Sequence, residues 1–121
     1  MSGSDQNRRD LADRLFRFAV NVINATRALP KTPEYKVIVY QVVKASTSSG
    51  ANYEESQAAV STADFANKVG IALKEMRESH YWIRIIIAIL EHHTIWIPLE
   101  KEADELKRIL GSIYSKSSRK R

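Results

Sequence analysis

One apolar repeat constrains this chain more than any other feature. Phe65, Val69, Ala72, Met76, Ser79, Ile83, Ile86 and Leu90 follow one another at alternating steps of four and three residues, without a break. Side chains three and four positions apart share one side of an α-helix, so the spacing predicts a single long helix with one continuous stripe. A stripe of that length has to be covered by other helices. Ser61-Thr62-Ala63-Asp64 provides the start signal, a serine N-cap followed by an acid three residues on. A second stripe, Ile71, Glu75, Glu78, Trp82, Ile85 and Ile89, turns apolar only in its last half. The C-terminal half of this helix therefore carries two apolar faces, one of them available to a partner.

The remaining segments repeat the pattern. Leu11, Leu15, Phe18, Val22, Ala25 and Leu29 predict a first helix from Asp5 to Leu29, which Pro30 stops. Thr32-Pro33-Glu34 restarts the chain with a capping threonine, a proline at the first helical position and an acid that complements the dipole. Tyr35, Ile38, Val42, Ala45 and Ser49 stripe the second helix, although its β-branched run Val37-Ile38-Val39 leaves a strand open on propensity alone. Ser46 to Gly50 are small and polar, marking a bend or a close approach of backbones. Pro98 is expected to open a last helix along Leu99, Ala103, Leu106, Ile109, Leu110 and Ile113, with fraying beyond Gly111. The expected fold class is all-α, an antiparallel up-down four-helix bundle over residues 11–113. A flexible basic lead-in at 1–10 and a disordered basic tail at 114–121 complete the expected organisation.

Composition narrows the chemistry. With no cysteine among 121 residues, disulfide scaffolds, thiolate zinc sites and cysteine nucleophiles are excluded. The start, Met1 to Arg9, is polar, and no apolar run approaches the ~20 residues that span a bilayer, so a soluble cytoplasmic protein without membrane contact is expected. The net charge of +5 is unevenly spread: residues 1–44 carry +4, residues 45–115 carry −3 and residues 116–121 carry +4.

An ordered set of short motifs carries a family resemblance. Gln41-Val42-Val43-Lys44-Ala45-Ser46-Thr47-Ser48 is followed by Asn52 and Glu55, then by Ser61-Thr62-Ala63-Asp64-Phe65 and Ile71-Ala72-Leu73-Lys74-Glu75. Arg77-Glu78-Ser79-His80-Tyr81-Trp82-Ile83 and the Leu29-Pro30-Lys31 turn complete the set. In this order they resemble the bacterial four-helix bundle family whose founding members are encoded in intervening sequences of 23S ribosomal RNA genes. The resemblance covers roughly residues 11–110. It implies a homopentamer, and nucleic-acid binding in keeping with the ribosomal gene context. A more distant resemblance, by fold, is to the accessory variability determinant of diversity-generating retroelements, which works with a reverse transcriptase and its RNA. Two departures lower the charge of one family segment: Val43 stands beside Lys44 where two adjacent basics are common, and no basic residue follows Asn52–Glu55 before Ser61.

The candidate phosphate contacts are Arg8, Arg9, Arg14, Arg17, Arg27, Lys31, Lys44, Lys116, Arg119, Lys120 and Arg121. Arg14 and Arg17, three apart, share a helical face, and both termini would form one basic surface if the fold brought them together. Asp10 and Asp13 interrupt that cluster, and no exposed aromatic platform for bases is expected beside it. Tyr81, Trp82, Ile85, Ile89 and Trp96 are the candidate oligomer interface, since aromatics with a polar edge suit subunit contacts. Glu91-His92-His93 with His80 lacks the i,i+4 spacing of a helical zinc site. The carboxylate pairs Glu75 with Glu78 and Glu54 with Glu55 have no nucleophile or phosphate loop beside them. The expectation is a non-enzymatic bundle without cofactor or metal, which either binds RNA or DNA through charge or serves as an adaptor for a protein such as a reverse transcriptase.

Overall fold

A computed structural model describes residues 3–119, which contain four α-helices. They are α1 (Gly3–Thr26), α2 (Pro33–Ser56), α3 (Thr62–Ile89) and α4 (Trp96–Ser118). Links of five or six residues join them, short enough to make each helix an antiparallel neighbour of the last. α2 packs most extensively on α3, α3 on α4, and α1 closes the ring against α2 and, least of all, α4. The bundle is therefore up-down. The N-terminus of α1 and the C-terminus of α4 lie at one end.

The stripes read from the sequence point inward. Leu15, Phe18 and Val22 from α1, Val42 from α2, Met76, Ile83 and Ile86 from α3, and Leu106 and Leu110 from α4 are all buried. Burying each such side chain stabilises the fold by about 1.5–3 kcal/mol. The β-branched run of α2 is helical throughout, because packing between α1 and α3 buries Ile38 and Val42 in ways a lone strand could not match.

Four local expectations need correction. α1 ends at Thr26 rather than Leu29; Arg27, Ala28 and Leu29 continue as turns whose amides reach back three residues, and Leu29 stays buried. Thr32 caps α2 in backbone conformation only, without a side-chain hydrogen bond, whereas Ser61 accepts the Asp64 amide at 3.0 Å. α4 begins at Trp96, before Pro98, because the fully buried indole anchors the first turn, where proline is tolerated. Its C-terminal end runs on to Ser118 instead of fraying beyond Gly111, with Ser117 buried and its hydroxyl donating to the Ile113 carbonyl at 2.7 Å.

Residues 46–50 form no bend; α2 is continuous there, and the small side chains serve close approach. Ser46 and Ser79 hydroxyls meet at 2.6 Å, and the Ser49 hydroxyl donates to the Ala72 carbonyl at 2.8 Å across the α2–α3 seam. On the other flank, a Cβ at Gly50 would sit 3.3 Å from the Leu15 Cβ of α1. Gly50→Val should therefore force α1 outward and lower stability by about 1–3 kcal/mol in urea unfolding. Gly111→Ala, whose Cβ would find its nearest neighbour 3.9 Å away, should raise stability by roughly 0.5–1 kcal/mol.

Candidate nucleic-acid interface

Antiparallel pairing of α1 and α4 brings the two basic ends of the chain together. Arg8, Arg14 and Lys116 line one groove between these helices, of about 820 Å³, with Leu11, Ile109 and Tyr53 on its floor. The Tyr53 hydroxyl, which burial holds above its ordinary pKa, points toward the Arg8 carbonyl at 3.4 Å. Arg9 lines a second groove with Glu54 of α2 and Gln57 at its C-cap. Arg17 extends the α1/α4 seam beside Phe18 and Leu99. Arg119 is the last described residue; Lys120 and Arg121 lie outside the described residues.

Not all of these cations are equally available to a phosphate. Arg14 is clamped across the seam: its Nε and one terminal nitrogen reach the Glu102 carboxylate at 3.1 and 2.7 Å, and its other nitrogen reaches Glu105 at 3.2 Å. The Glu102 hydrogen bond raises the Arg14 pKa against the opposing effect of burial, so the group is permanently charged but already paired. Arg8 pairs with Asp5 in the first turns of α1. Arg27 and Lys31 are at the opposite end of the bundle; nineteen helical steps from Arg8 to Arg27 amount to about 29 Å. Lys44 is exposed midway along α2, beside Glu75. The structure thus brings Arg8, Arg14 and Lys116 together and leaves Arg27, Lys31 and Lys44 apart.

The candidate interface residues also divide. Tyr81 and Ile89 are 54% and 51% exposed, while Trp82 and Ile85 are half-buried against the core. Trp96 is 1% exposed and belongs to the core, so it does not form part of any outer face. Val37 and Tyr40 of α2 are exposed at that same end of the bundle, a surface the sequence stripes did not reveal. They lie outside the buried stripe, so no periodicity marked them.

His80, buried within α3, bridges to the neighbouring helix. Its Nε2 meets Glu100 at 2.7 Å and its Nδ1 meets the Lys107 ammonium at 3.2 Å, tying α3 to α4. Both bonds form together when Nε2 carries the hydrogen and Nδ1 accepts from lysine. Lys107 and Arg108 also hold Asp104; burial pushes that carboxyl up, but the Lys107 hydrogen bond and the two charges prevail and keep it below its usual range. Because both partners of His80 lie on α4, this network is an interhelical clasp. Among the described residues, no group of three His, Asp or Glu side chains is gathered as a metal site requires. No described helix is long and apolar enough to cross a membrane.

Glu75 is buried on the α2-facing side of α3, and its carboxyl is pushed up first by burial and then by the neighbouring Glu78; Lys44 and Lys74 oppose the shift. A raised carboxyl binds its proton more tightly folded than unfolded. Its contribution to stability is therefore fully present below the ordinary carboxylate value and is lost as pH rises through the raised one. Glu75→Gln should raise the thermal midpoint at neutral pH, with the gain shrinking as the solution is acidified. A gain independent of pH would show that the ionised group carries no penalty.

The comparisons with known proteins agree with this architecture. The profile of the 23S rRNA-intervening sequence protein family matches residues 9–112. A 1.70 Å crystal structure of a protein of unknown function from the S23 ribosomal protein family of Bacteroides thetaiotaomicron is 32% identical, with a TM-score of 0.77. That match covers 86% of this chain and 97% of the other. No curated protein matches the chain. Neither description names an enzymatic activity, and the profile spans nearly the whole bundle. The chain belongs to the 23S rRNA-intervening sequence protein family.

Proposed function

We propose that this protein is a non-enzymatic, self-associating bundle that binds nucleic acid through phosphate contacts. The observation that carries the reading is the convergence of the two basic chain ends: Arg8, Arg14 and Lys116 share one groove, with Arg9 and Arg119 nearby in sequence. Salt bridges within the bundle reduce the available charge, so the strength of binding has to come from several copies acting together. A homopentamer, as the family resemblance implies, would present five such ends and gain avidity without any new contact.

A second reading, from a different class, is an adaptor for a protein partner such as a reverse transcriptase. Val37 and Tyr40 of α2 with Tyr81 and Ile89 of α3 favour it, since large exposed apolar side chains suit a protein contact. The two readings differ in their response to salt. Phosphate contacts release counterions and weaken steeply as salt rises, whereas an apolar contact does not.

The purified protein should shift RNA or duplex DNA at low salt and release it as salt rises. Lys116→Gln with Arg119→Gln should weaken that binding. Absence of any binding at low salt overturns the nucleic-acid reading. In light scattering the particle should have five times the 13.8 kDa chain mass; a monomer would reject the assembly.

A further inference from the structure

The α1/α4 end is not the only cationic groove. On the outer side of α3, Asn67, Gly70, Lys74 and Arg77 recur at steps of three, four and three, which places them on one face. Together with Tyr114 of α4 they line a groove of about 290 Å³ between the two helices. Gly70 is the reason the groove has this shape: a Cβ there would lie 2.9 Å from Cε1 of Tyr114, so only glycine lets the ring settle against α3. Arg84 continues the stripe seven residues beyond Arg77.

The charges here are less committed than several others on α1 and α4. Arg14, Lys107 and Arg108 are held by carboxylates, whereas Lys74, Arg77 and Arg84 form no ion pair among the described residues. Lys74 and Arg77 are exposed and about one helical turn apart. Unpaired cations beside an aromatic ring and an amide match the needs of a single strand, whose backbone wants positive charge and whose unstacked bases want a π-face. A duplex offers no free base face.

We propose that this α3/α4 groove is a subsite for single-stranded nucleic acid, with Lys74 and Arg77 on successive phosphates and Tyr114 as the stacking surface for a base. It rests on the nucleic-acid reading above and names a place on the chain where that contact is made.

The test is fluorescence anisotropy of a labelled oligouridylate with the full-length protein across a range of salt concentrations. Oligothymidylate and an RNA duplex serve as further probes. Lys74→Gln/Arg77→Gln should lower the log–log salt slope by about 1.4, at about 0.7 per phosphate contact on a single strand. Tyr114→Leu should weaken binding by about tenfold with the slope unchanged, in line with one lost stacking contact. The charge-matched control Lys36→Gln/Lys101→Gln should leave the slope as it was, and circular dichroism on every variant separates lost binding from lost helix. Oligothymidylate bound as well as oligouridylate would extend the subsite to DNA single strands. If the protein binds but both groove variants behave like the control, or if duplex competes equally, the subsite is wrong while the general reading stands. If the unmodified protein binds no probe at low salt, both fall.

Discussion

The close approach of α2 and α3 is the constraint on which the rest of the bundle depends. Serines replace larger side chains at the contact, and each buried hydroxyl finds a partner across or within the seam: Ser46 with Ser79, and Ser49 with the Ala72 carbonyl. A buried hydroxyl left alone would cost about 1–3 kcal/mol, so the seam tolerates polar atoms only because they are matched. The matched pair sets the spacing of the two central helices. α1 then has to be met at Gly50 and α4 at His80, each against a helix whose position is already fixed.

The α1/α4 seam follows the opposite logic. Large side chains such as Phe18 and Leu99 meet there, and an ion pair through Arg14 bridges the grooves on either side. That bridge is why net charge alone misleads about function. Several basic residues that look alike in the sequence are occupied in the fold, and cations outside the basic termini, Lys74 and Arg77, are not.

Fold was legible because helical stripes report burial directly: every position of the Phe65–Leu90 repeat lies within α3 or at its C-cap, and Leu15, Phe18 and Val22 are fully covered. Helix ends were less legible, since Leu29 and Trp96 are placed by burial in tertiary context and not by local caps. The candidate site was only partly legible. Sequence spacing shows which residues share a helical face but not which carboxylate from another helix will occupy them, as Glu102 occupies Arg14. The groove beside Tyr114 escaped for a related reason. Its components sit on two helices, and the signal that could have found it was a glycine, Gly70, on the polar side of a helix where propensity gives it no reason to be.

The unequal seams also bear on how the chain acquires its structure. α2 and α3 are neighbours in sequence, joined by residues 57–61, so their contacts close a short loop. α1 and α4 come from opposite ends of the chain, and pairing them must order almost everything between. The central hairpin can therefore form its native contacts while both terminal helices are still undocked. The groove that unites the chain ends comes into existence only with the last docking event, and any ligand that bridges it binds the completed fold alone.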